Sequence, residues 1–148
     1  MIWKPHTTVA AVIEKDGKFL IVEEESDSKV VYNQPAGHLD EDESLIQAVI
    51  RETLEETAWH FKPENIIGVY QYKSPGNGTT YIRFCFSGQC NQHEPDRKLD
   101  DGIVCAIWMS YEELVREKDK LRSPMVLHCI DDYLAGKQYP LELIWDIQ

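Results

Sequence analysis

The stretch "RETLEETAWHF", residues 51–61, sets Glu52, Glu55 and Glu56 within about one turn of the end of a helical pattern. A helix ends in partial negative charge, so an anion placed there costs about 0.3–1 kcal/mol. No lysine or arginine follows until Lys62. Glu52 and Glu56 are four residues apart and Glu55 lies beside them, and like charges at such spacings cost roughly 0.2–0.5 kcal/mol per pair. Arg51, four residues before Glu55, offsets only part of this. Glu56 is the sharper constraint: on a helical wheel it falls between Leu45 and Val49, beside the apolar face. A carboxylate directed there needs a partner, because an unpaired buried charge is very costly. Hard divalent cations such as Mg²⁺ or Mn²⁺ take carboxylate oxygens and suit such a density of them. A solvated acidic face is the rival reading.

The rest of the chain describes a scaffold around that helix. "HTTVAAVIEKDGKFLIVEEE" reads as two strands joined at an Asp-Gly turn. "KVVYN" is a further short strand, and "QPAGHLDEDES" a loop feeding a helix over residues 43–57, with Asp40 or Asp42 as its cap. "NIIGVYQYKS" and "TTYIRFCFSGQC" are strands joined through "PGNG", and "IVCAIWM" is another. Ser110 and Glu113 have capping-box spacing and open a short helix. Ser123-Pro124 opens the last helix and Gly136 closes it, and the tail "QYPLELIWDIQ" packs back on the body. Irregular alternation with hairpins fits a mixed α/β (α+β) sandwich better than a doubly wound parallel sheet.

Size and composition bound the function. A chain of 148 residues with 43% apolar and 28% charged content suits one soluble domain spanning residues 1–148. "VAAVI" is too short to span a bilayer and the start lacks the layout of a secretory signal, so a cytoplasmic location is expected. Cys85, Cys90, Cys105 and Cys129 form no C-x-x-C pair and read as reduced thiols. No histidine pair has zinc-site spacing. A net charge of −11 opposes binding to nucleic-acid backbone or anionic membrane. A phosphate substrate must then meet local cations.

The loop before the helix favours the metal reading. Gly37 lets backbone approach a metal or phosphate closely. Glu43 follows six residues later, and "RETLEE" begins eight beyond that. Residues 37–59, "GHLDEDESLIQAVIRETLEETAW", resemble the box of the Nudix hydrolases: glycine, five residues, glutamate, seven residues, then Arg-Glu-aliphatic-x-Glu-Glu-x-Gly-aliphatic. Gly37, Glu43, Arg51, Glu52, Glu55 and Glu56 match; Thr53 and Ala58 depart, the first keeping a methyl and the second losing easy access to the left-handed conformation that ends helices.

The resemblance implies a Nudix-type α/β/α sandwich with a mixed central sheet and metal-dependent attack of water on a diphosphate. By it, Glu52, Glu55, Glu56 and the Ala36 carbonyl hold Mg²⁺, or Mn²⁺ in its place. Glu52, or else Glu55, activates the water, Arg51 steadies a glutamate by ion pairing, and Glu43 stands behind it. Asp100 and Asp101 are either an additional acidic ligand or a solvated turn, and the turn is preferred. Gly37, His38, Tyr32, Arg83 and Arg122 are candidate substrate contacts, the arginines because guanidinium forks suit phosphate oxygens. The rival readings are core or rim packing for Tyr32, surface arginines for Arg83 and Arg122, and a loop histidine without a role for His38.

The match extends beyond the box: "KPHTTVAAVI", "GKFLIVEEE", "NQPAGHLDEDESL" and, wholly outside it, "LRSP…YLAGKQYPLELI" resemble a bacterial phosphatase of that family. This implies release of inorganic phosphate from nucleoside tri- and diphosphates and from hydroxymethylpyrimidine diphosphate, with thiamin diphosphate as a further substrate. Separately, a monomer acting on a small molecule is expected. Two alternatives stand beside it. One is a pyrophosphatase acting on another nucleoside diphosphate derivative, such as an oxidised nucleotide. The other is a nucleotide-sensing module without turnover.

Overall fold

A computed structural model describes residues 1–147. β1 (His6–Lys15) and β2 (Lys18–Ser26) meet at Asp16 and Gly17, both at positive φ as a tight hairpin requires. β3 (Lys29–Asn33) and the short β4 (Ala36–His38) follow, so the glycine segment expected as loop is partly strand. After α1 (Leu45–Thr57) come the long strands β5 (Trp59–Lys73) and β6 (Thr80–His93), then β7 (Ile103–Ser110). The short α2 (Tyr111–Arg116), α3 (Met125–Leu134) and β8 (Tyr139–Pro140) complete the fold.

The strands form one mixed sheet ordered β3-β2-β1-β6-β5-β8, with β4 also pairing β1 and β7 pairing β2. β1 and β6 run parallel, and every other strand pair is antiparallel. β1 is buried on both faces, which its unbroken apolar run anticipates. Val9, Ala11 and Ile13 pack with Ala48 and Val49 of α1. Ala10 and Val12 pack with Val126, Cys129 and Ile130 of α3. Helices thus cover opposite faces of the sheet, the α/β/α sandwich that the sequence predicts.

Local details correct the expected boundaries. Ser44, rather than Asp40 or Asp42, caps α1: its hydroxyl accepts the Gln47 N–H while the Gln47 side chain accepts the Ser44 N–H. Ala58 does end α1, at φ 63° in the left-handed region, and its N–H donates to Leu54 O at 2.9 Å. A non-glycine residue there costs roughly 1–2 kcal/mol. Thr53 is fully buried and donates to Val49 O, so the hydroxyl is satisfied. The Ser110–Glu113 box opens α2 as expected. Pro124 sits at the cap of α3, with Ser123 Oγ accepting the Met125 N–H. The tail returns through β8, which pairs with Asn65 and Ile66, while Trp145 and Ile147 remain exposed.

Candidate active site

Strand register brings the glycine segment to α1. Ala36, Gly37 and His38 pair with Ala10, Val9 and Thr8 of β1, which fixes them beside the C-terminal half of the helix. Glu56 is 8% exposed, and its Oε1 accepts the Ala36 N–H at 2.9 Å. A Cβ on Gly37 would fall 2.1 Å from the Glu52 carboxylate carbon. Glycine is therefore required here by close approach: the carboxylate lies on bare backbone.

Arg51 organises the other acids. Its Nε and Nη2 donate to the two oxygens of Glu43 at 2.6 and 2.9 Å, and Nη1 donates to Glu52 and Glu55, each at 2.8 Å. Nη2 also donates to the His38 carbonyl at 3.1 Å and lies 3.3 Å from Asp40. Arg51 thus ties the glycine strand to the helix as well as steadying Glu52 and Glu55. The Arg51 fork holds Glu43 below the usual carboxylate range.

Glu52 and Glu56 behave differently. Burial pushes the Glu52 carboxyl up despite its bond to Arg51, and burial pushes Glu56 up to about 9. Asp100 joins this acidic region: its N–H donates to Glu55 O at 3.0 Å, and burial, with Glu55 next, raises its carboxyl. The "LDDG" segment is an exposed turn at Asp100 and Asp101, as preferred from the sequence, and its backbone bond holds it against the helix end.

Among the described residues no three His, Cys, Asp or Glu side chains already converge as a metal cage. Arg51 draws Glu52 and Glu55 together, and Ala36 engages Glu56. The donor chemistry nevertheless fits a hard divalent ion. It offers carboxylate oxygens within one helical turn, one of them deeply buried with no cation beside it, next to a glycine that leaves the backbone bare.

Glu52, Glu56, Ala36 and Gly37 line one end of a cleft of about 620 Å³, and His38, Arg83 and Arg122 line it further along. Arg122 pairs with Glu24 at 2.9 Å, and His38 meets His6 at 3.2 Å. Tyr32 does not line the cleft. Strand alternation gives Val31 and Asn33 to the cleft and turns Tyr32 to pack with the α3-side core. Tyr72 and Tyr81 line it instead, directly opposite one another on β5 and β6. Their period-2 placement around "PGNG" was the available sequence signal for this pair.

Comparison with known proteins agrees with this arrangement. The NUDIX domain matches residues 4–128. The chain belongs to the NUDIX family. Phosphatase NudJ of Escherichia coli is 43% identical over 145 residues, 98% of this chain and 94% of that protein. Phosphatase NudJ of Shigella boydii matches to the same extent. A NUDIX hydrolase from Nitrosomonas europaea superposes with a TM-score of 0.96 at 52% identity, covering 97% of this chain and 98% of that one. The NUDIX domain of Shewanella oneidensis NrtR, solved with ADP ribose, shares the fold with a TM-score of 0.72 at 19% identity, covering 91% and 90% of the two chains. This protein is a NUDIX hydrolase similar to NudJ.

Proposed function

We propose that the chain is a metal-dependent phosphatase of the NudJ type. It hydrolyses nucleoside tri- and diphosphates and hydroxymethylpyrimidine diphosphate, releasing inorganic phosphate. The observation that carries this reading is the pair of carboxylates, half-buried Glu52 and buried Glu56, set against Gly37 and Ala36 at one end of the cleft. In this reading Glu52, Glu55, Glu56 and the Ala36 carbonyl hold Mg²⁺, with Mn²⁺ as a substitute. When bound, the ion neutralises charge on phosphoryl oxygens and makes a water more acidic.

Glu52 accepts the proton of the attacking water, and its raised proton affinity suits that task. Arg51 holds Glu52 and Glu55 in register, with Glu43 behind it, so the chain spends one guanidinium on orienting two acids. Gly37 lines the cleft end with the Glu52 carboxylate laid on its backbone, and His38, Arg83 and Arg122 face the substrate from the cleft walls. Residues 1–148 act as one domain, as a cytoplasmic monomer on a small molecule. The −11 charge disfavours nucleic acid and membrane as partners.

The test is a substrate panel with Mg²⁺ or with chelator: nucleoside tri- and diphosphates, hydroxymethylpyrimidine diphosphate and an oxidised nucleoside triphosphate. Orthophosphate should accumulate from the first three classes and stop with chelator. Pyrophosphate as the main product, or undiminished turnover without metal, contradicts the proposal.

A further inference from the structure

Arg83 on β6 differs from the other cations around the cleft. It is 5% exposed, and its Nη1 donates to Gln34 Oε1 at 2.9 Å. Gln34 is held in that orientation because its Nε2 donates to Ala11 O at 3.2 Å and to Cys85 Sγ at 3.5 Å. The Cys129 thiol lies near enough to feel the charge of the guanidinium. Its Nε is buried with no partner, and among the described residues no carboxylate lies within ion-pair distance. Arg51 and Arg122, by contrast, are paired with acids. A buried guanidinium held only by neutral groups is costly, and the missing partner is an anion.

The cleft tells which anion. Arg83 shares its floor with Thr8, Asn33, Met125 and Glu56, each less than 9% exposed, whereas Asp27 and Asn77 at the mouth are exposed. Glu56 and Arg83 share the floor without pairing to each other, so a ligand there meets an acidic end and a basic end. An anion that reaches Arg83 has the buried side chains of Thr8, Asn33 and Met125 around it. A phosphate that ends its chain reaches this floor with the rest of the substrate directed to the exposed mouth. Such a group also carries more charge and more free oxygens than an internal phosphate, which suits a guanidinium fork.

We infer that Arg83 is the seat of an unsubstituted terminal phosphate, and so selects substrates that end in one over diphosphates capped on both sides. This rests on the hydrolase reading above and adds to it a reason for orthophosphate as the product.

Two measurements test it. In chelator, inorganic phosphate should raise the melting temperature of the wild type, not that of Arg83→Gln, and part-way for Arg83→Lys, which keeps the charge but loses the fork. With Mg²⁺, kcat/KM for ADP should exceed that for ADP-ribose, and Arg83→Gln should narrow this preference at least tenfold, mainly through KM for ADP. Equal phosphate shifts in wild type and variant, no shift in either, or parallel losses on both substrates overturn the inference. If Arg83→Gln does not fold, Arg83→Lys carries the same comparisons. If the wild type cleaves neither nucleotide, the hydrolase reading fails, while phosphate binding in chelator still decides the role of Arg83.

Discussion

Glu52→Gln lowers kcat with saturating Mg²⁺ by about 10²–10⁴-fold, the span that positioned acid–base groups contribute, while the melting temperature changes little. Glutamine is nearly isosteric, and its amide oxygen can still accept the Arg51 Nη1 hydrogen bond seen at 2.8 Å. It also carries no charge, and burial already works against ionised Glu52. The substitution therefore removes a base and a hard ligand without opening a cavity. Glu55→Gln is the control. Glu55 is more exposed than Glu52, with 27% against 12% of the side chain accessible, and it does not line the cleft. Its loss should be smaller. Unchanged turnover in Glu52→Gln would falsify the assignment of the base, and a larger loss in Glu55→Gln would exchange the two roles.

Gly37→Ala should inactivate the enzyme nearly as far as Glu52→Gln, yet leave the fold stable. The added methyl would overlap the Glu52 carboxylate, with its carbon 2.1 Å away and its oxygens at 2.3 and 2.4 Å. Only the end of a side chain must move, and Gly37 lies outside the left-handed region, so the backbone bears no strain. Displacing the carboxylate breaks its contact with Arg51 and removes it from the cleft end. The effects should also be non-additive: placing Gly37→Ala in the Glu52→Gln background should add little, because both act on one group. Paired melting curves and kcat/KM values for the two single variants and the double decide this. A large loss of stability, or full additivity, would show that Gly37 serves another purpose.

Much of this site was legible because its key spacings are local. Glu56 turns inward by helical geometry alone, and Gly37, Glu43 and Arg51 lie within a single loop-helix unit whose contacts repeat from turn to turn. Both capping boxes involve short spacings; at α1 Asp40 and Asp42 are equally good cap types, and Ser44 is set apart by lying directly before Leu45 with Gln47 three residues on. The cleft was harder to read. Its walls come from β1, β2, β3, β5, β6 and the segment before α3, which meet only through sheet order. Tyr32 was misplaced by one step of strand parity, whereas Tyr72 and Tyr81 reach the cleft through long-range register. Nothing local announces that the Arg83 guanidinium lacks a carboxylate, since that depends on Gln34, Cys85 and Cys129 from three separate segments.

The central claim is that the glutamate turn is tolerable because a divalent ion neutralises it. It is tested most directly by melting wild type and Glu56→Gln in chelator and in Mg²⁺ from pH 5 to 9. Burial raises the Glu56 carboxyl above its unfolded value, to about 9, so the folded protein binds the extra proton. Its contribution to stability is therefore fully present below the unfolded pKa and is lost as pH rises towards 9, at up to about 1.4 kcal/mol per pH unit. In chelator, wild type should lose stability relative to Glu56→Gln across that window. Mg²⁺ should restore it, with a shift that grows with pH and shrinks in the variant. A wild-type melting temperature indifferent to Mg²⁺ at every pH would contradict the account.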